Sequence, residues 1–134
     1  MKERDQSSVA IVSSISGWKP GPKAQYGSAK AAEIFLSSAL ARELASHHIQ
    51  VNTVCPGSIL FPDGGWSNFD REHPKEFARF LEQELPEKRL GTDQEVAEVI
   101  TFLLSDRARW INGAMIPVDG GQGRPTARWF NESL

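Results

Sequence analysis

The chain has 134 residues, of which 40% are apolar and 24% charged, and its formal net charge is −2. That length suits a single domain built on one core, and the near-neutral balance lacks the basic surplus that marks a nucleic-acid partner. No apolar run approaches the roughly 18 to 20 residues of a membrane span, and the polar start "MKERDQSS" does not turn hydrophobic as a secretory signal does, so the expectation is a cytoplasmic protein with no membrane partner.

In chain order, "VAIVSSI" is a short β-branched run that predicts a strand buried on both faces, ended by the Gly/Pro loop "SGWKPGPK". Helix formers dominate from Gln25 to about Ser46, with Ile34, Phe35, Leu36, Ala39, Leu40 and Leu44 predicted on one broad apolar face. His47 and His48 fall at the carboxyl end of that helix, where positive charge is favoured. "IQVNTVC" predicts a second buried strand closed by Pro56-Gly57, and its Cys55, the single cysteine, reads as a small core residue. Residues 57 to 73 are expected to be a long irregular segment of functional type. "PKEFARFLEQEL" then starts a helix on its proline, and Thr92 with Glu95 forms a capping box for "DQEVAEVITFLLS". "AMIPVDGG" is a last strand before a polar tail carrying Trp129 and Phe130. The histidines and the cysteine have no metal-ligand spacing, so no metal is expected.

This alternation predicts an α/β fold with a parallel sheet and a ligand site at the carboxyl ends of the strands, where Ser13, Ser14 and the Pro56-Gly57 loop lie. Tyr26 and Lys30, one helical turn apart, share a face there. A phenol has a pKa of about 10, and an ammonium about 4 Å away favours the phenolate by at most about 4 kcal/mol at an effective dielectric near 20, or roughly three pK units. Such a phenol exchanges protons near neutrality, while a serine hydroxyl across the cleft holds a carbonyl or alcohol oxygen beside it.

"VAIVSSISG", "YGSAKAA", "IQVNTVCPGSI", "RLGTDQEVAEVITFLLSD" and "INGAMIPVDGG" follow one another as in the short-chain dehydrogenase/reductase family, and the resemblance covers nearly the whole chain. It implies a partial Rossmann-like, doubly wound sheet of about three parallel strands with flanking helices over residues 1–121, followed by a tail over 122–134. It further implies NAD(P)-dependent hydride transfer between a secondary alcohol and a ketone, with Tyr26 as the proton-transferring group, Lys30 on the nicotinamide ribose and Ser14 orienting the substrate. Ser13 is the rival serine: the spacing to Tyr26 favours Ser13, whereas "SISG" matches the family's stretch after Ser14. Pro56, Gly57, Ser58 and Ile59 resemble the segment whose backbone meets the nicotinamide carboxamide, although the threonine that family members commonly carry soon after this Pro-Gly is missing. Trp66 and Phe69 fall in the substrate lid or anchor its loop, and Trp18 is a candidate substrate wall.

The likeness is to the C-terminal, catalytic half of such enzymes. Nothing matches a G-x-x-x-G-x-G loop, and the acidic or basic residue that reads the ribose belongs to the other half, so the resemblance implies NAD or NADP alike and the isolated chain is expected to bind cofactor weakly or not at all. A three-stranded sheet with a raw edge predicts self-association into a homo-oligomer, through that edge or the long helix, whose counterpart in the family joins a four-helix dimer interface. The competing reading is a non-catalytic interaction module keeping a relic Ser/Tyr/Lys set.

Overall fold

A computed structural model describes residues 6–123. Three strands, β1 (Ser7–Val12), β2 (Ile49–Pro56) and β5 (Met115–Val118), form a parallel sheet in the order β1-β2-β5. Ser7 pairs with Ile49 through to Val12 with Val54, and Thr53 pairs with Met115 through to Pro56 with Val118. The helix α1 (Ala24–Leu44) connects β1 to β2. Between β2 and β5 lie β3 (Ile59–Leu60), α2 (Gly65–Glu72), α3 (Pro74–Glu84), β4 (Gly91–Thr92) and α4 (Asp93–Leu104).

The central strand shows why both faces of the sheet are covered. Its side chains alternate, so Ile49 and Val51 pack with Ala41, Leu40 and Leu44 of α1, whereas Val54 packs with Val96 and Leu103 of α4. Gln50 and Asn52 share the α4 side with Val54, and both are buried. Their amides satisfy the loop that leads into β5: Asn52 donates to the Ile111 carbonyl at 2.8 Å and accepts from the Ala114 N–H at 2.9 Å, and Gln50 donates to the Arg109 carbonyl. Asn112 returns the favour by accepting from the Val51 N–H and donating to the Ala41 carbonyl. A buried amide bonded in this way fixes the register of the loop on the strand.

Three expectations are corrected. β2 is buried from Ile49 to Cys55, but β1, read as buried on both faces, is half-buried, because it forms the expected raw edge and nothing among the described residues pairs with its outer side. Ile34, Leu40 and Leu44 do face inward on α1, together with Gly27, Lys30, Ser37 and Ala41, but Phe35, Leu36 and Ala39 face outward, Phe35 being 78% exposed. Small residues point inward because the segment after β1 lies directly on the helix: a Cβ on Gly17 would come 2.8 Å from the Lys30 carbonyl carbon, and one on Gly27 would come 2.8 Å from the Ser16 oxygen. Finally, residues 57 to 73 are not irregular throughout. Ile59 and Leu60 pair with Gly91 and Thr92, and α2 takes up the aromatic part.

The Thr92–Glu95 capping box is present in full, and Pro74 opens α3 in its first turn. Cys55 has no exposed surface, and that burial pushes its thiol pKa up. His47 and His48 close the long helix, with His48 in the left-handed conformation at φ 56°. Trp129 and Phe130 lie outside the described residues, and among those described no helix is long and apolar enough to cross a membrane.

Candidate functional site

At the carboxyl ends of β1 and β2 a cleft of about 860 Å³ opens between the loop after β1, the first turn of α1, the corner after β2 and the helices α2 and α3. Ser14, Tyr26, Gly57 and Ser58 all line it, with Trp66 and Phe80 on the far side. The two glycine contacts described above bring this about, since they press the 13–18 segment onto α1 and so set Ser14 beside the helix turn that carries Tyr26.

The two serines separate cleanly. Ser13 is buried and donates its hydroxyl to the Lys30 carbonyl at 2.8 Å, pinning the strand end to α1. Ser14 faces the cleft and accepts a hydrogen bond from the Ser16 N–H at 3.1 Å. Because that bond uses an acceptor site on the oxygen, the Ser14 hydroxyl hydrogen remains available to a ligand.

Tyr26 is half exposed, and the Lys30 ammonium sits 5.7 Å from its ring centroid. The ammonium's hydrogen bonds go to the Glu33 carboxylate at 2.9 and 3.0 Å, an ion pair one turn further along the helix. Lys30 is therefore beside the phenol as the spacing predicts, but behind the cleft lining and already engaged. Glu33 is the partner that sequence reasoning missed, although its place three residues after Lys30 is a legible signal.

Of the segment after β2, Gly57 and Ser58 reach the cleft, whereas Pro56 ends the strand and Ile59 turns to a second hollow on the α4 side. The Ser58 N–H donates to the side-chain oxygen of Gln122 at 2.7 Å, and the Gln122 nitrogen donates to Ser58 Oγ at 2.9 Å. Gln122 and Lys19 were not singled out from the sequence. Lys19 pairs with Asp119 at 2.7 Å and donates to the Gln122 carbonyl, which ties the loop after β1 to the turn after β5. Trp18 does not line the cleft; its ring lies 4.7 Å from the Lys19 ammonium and is 45% exposed. Trp66 does line it, stacked on Phe80 at 4.5 Å and edge-on to Phe69 at 5.9 Å. It is thus both a wall of the cleft and the anchor that joins α2 to α3.

The donor set can be tested against a nicotinamide nucleotide. A carboxamide already sits on Ser58, that of Gln122, so the corner after β2 has the shape and polarity for such a group. Hydroxyls of Ser14 and Tyr26 face the same space. No G-x-x-x-G-x-G loop between a strand and a helix, of the kind that cradles a diphosphate, occurs among the described residues; the glycine pair Gly64-Gly65 that opens α2 lacks that spacing. The residues present fit the nicotinamide end.

A sheet, cleft and hydroxyl pair of this kind define an α/β protein of the Rossmann type with its ligand site at the strand ends. The family described as enoyl-(acyl carrier protein) reductase matches residues 1–122, and the chain belongs to the short-chain dehydrogenase/reductase family. It is 38% identical over 116 residues to 3-oxoacyl-(acyl-carrier-protein) reductase MabA of Mycobacterium tuberculosis, covering 86% of this chain and 44% of that protein. An oxidoreductase of the short-chain dehydrogenase/reductase family from Burkholderia thailandensis superposes with a TM-score of 0.77 at 36% identity, over 85% of this chain and 44% of that one. L-sorbose reductase from Gluconobacter frateurii, solved with NADPH and L-sorbose, superposes with a TM-score of 0.83 at 28% identity, over 93% of this chain and 50% of that one. The chain spans about half the length of the relatives it matches, or less.

Proposed function

We propose that the cleft is the proton-transfer and nicotinamide-contacting part of an NAD(P)-dependent oxidoreductase site that interconverts a secondary alcohol and a ketone. The observation that carries the reading is the meeting of Ser14, Tyr26 and the Ser58 corner in one cleft at the strand ends, with Lys30 beside the phenol. A nicotinamide cofactor, when bound, supplies the hydride to the carbonyl carbon or removes it from the alcohol carbon. This chain's residues handle the oxygen and its proton. Ser14 donates its free hydroxyl hydrogen to the substrate oxygen and fixes its position. Tyr26 gives its phenolic proton to that oxygen in the reducing direction and takes it back in the other. The Lys30 cation stabilises the negative charge that develops on the phenol oxygen during transfer. Trp66 and Phe80 offer the apolar body of the substrate a flat wall.

The same reading extends to a homo-oligomer. The outward Phe35 and Leu36 of α1 form an apolar surface that a second copy would cover. For the cofactor, NMR titration of the chain with NADH and with NADPH at millimolar concentration tests the proposal, since a site without a diphosphate cradle among its described residues binds weakly. The amides of Ser14, Tyr26 and Ser58 are expected to shift together with one or both nucleotides. If those amides stay in place at saturating nucleotide, the reading fails.

A further inference from the structure

We propose that Glu33 is a positioning residue of the proton-transfer site: its ion pair with Lys30 sets how much positive charge reaches the Tyr26 phenol. The inference rests on the reading of Tyr26 as the group that transfers the proton, and it adds a control on that group which acts through the lysine.

The backbone of Lys30 is held in place. Its carbonyl accepts from the Ser13 hydroxyl at 2.8 Å, and the chain at Gly17 lies so close that a Cβ there would come 2.8 Å from the Lys30 carbonyl carbon. Where the cation stands is therefore decided by the side chain alone. That side chain carries the ammonium to both oxygens of Glu33, at 2.9 and 3.0 Å, and leaves it 5.7 Å from the centroid of the Tyr26 ring. Lysine followed by glutamate is the less favourable order for a helix pair, so helix stability is a weak reason for this contact.

The Lys30 side chain is 20% exposed and that of Glu33 36%, so water screens the pair only in part. When Tyr26 releases its proton, phenolate and carboxylate compete for one ammonium, and the carboxylate also repels the new charge. The other ionisable groups around the pair come from four places. Lys23 lines the cleft at the start of α1, Lys19 is paired with Asp119, Glu84 lines the cleft from the end of α3, and the Cys55 thiol of β2 is buried. Replacing Glu33 leaves all of them as they are.

The test is a pH titration of the full chain, followed by carbon-13 NMR at the oxygen-bearing ring carbon of Tyr26. Tyr26 is the single tyrosine of the sequence, so one signal reports it. Glu33→Gln keeps the size of the side chain and removes its charge, and Glu33→Ala serves if the glutamine variant does not fold. Either should move the midpoint of the tyrosine transition to lower pH by about 0.5 to 1. In a Lys30→Met or Lys30→Gln background the same replacement should move it distinctly less, because only the direct repulsion is then removed. A midpoint that stays put or rises when Glu33 is replaced overturns the inference, and so does an equal shift with and without Lys30. Neither result touches the nicotinamide reading, which stands or falls with the nucleotide titration.

Discussion

Ser13 and Ser14 are adjacent and chemically identical, yet their surroundings assign them opposite tasks. The Ser13 hydroxyl serves the Lys30 carbonyl inside the molecule, and Ser14 serves the cleft. Ser13→Ala should lower stability by about 0.5–1.5 kcal/mol, the net worth of one hydrogen bond to a carbonyl that keeps its place in the helix, with the cleft retained; denaturant unfolding measures this. Ser14→Ala should leave unfolding nearly unchanged and weaken the hold on a carbonyl ligand. A reversed pattern would exchange the two roles. The nearness of Tyr26 and Lys30 was legible from spacing because a helix places residues four apart on one face, while its chemical reading rested on the motifs around the pair. Glu33 was legible by the same spacing but was not singled out, whereas Lys19 and Gln122 acquire meaning only through contacts that join residues about a hundred positions apart. Cys55, with no exposed surface and a raised thiol pKa, should resist alkylation until the chain is unfolded.

Among the elements, α4 has the most explicit start signal, and the structure shows how it is held. Glu95 receives hydrogen bonds from Arg89 and from the Thr92 N–H, and these hold its carboxyl down at about 2, against an ordinary 4.5. A group whose pKa is depressed in the folded state contributes stability that is complete above its unfolded value and is lost as the pH falls through its folded one. The destabilisation caused by Glu95→Gln should therefore be constant above about pH 4.5 and should fade toward about pH 2, as followed by thermal unfolding across that range. A difference that persists undiminished at about pH 2 would contradict the assignment. The same elements show where periodicity misleads. Ile34, Leu40 and Leu44 lie on the inner face of α1 as its periodicity predicts, but Phe35 and Leu36 face outward, and Gly27 stands on the inner face because the 13–18 segment needs close approach there. The helix α2 was hidden because "GGWSNF" opens with two glycines, and its aromatic side chains are held by Phe77 and Phe80 of a different helix.

At the scale of the whole molecule, the α/β alternation and the parallel order were readable because each strand is a short apolar run bounded by turn residues. The raw edge was expected as well, whereas the run "VAIVSSI" by itself reads as buried on both faces, since burial of a strand depends on what lies beside it. With the outer side of β1 unpaired among the described residues and Phe35 78% exposed, the chain should self-associate at micromolar concentration. Replacing Phe35 and Leu36 by glutamate should shift sedimentation toward the monomer if α1 is the contact; a parent that sediments as a monodisperse monomer would count against the oligomer. The central claim concerns chemistry, and its most direct test is carbonyl reduction by a polypeptide that carries this sequence together with the part of its relatives' length that it does not span. Tyr26→Phe should lower turnover by about 10²- to 10⁴-fold, the range of a lost general acid, while nicotinamide nucleotide binding is preserved. Turnover that is unchanged in Tyr26→Phe would contradict the account.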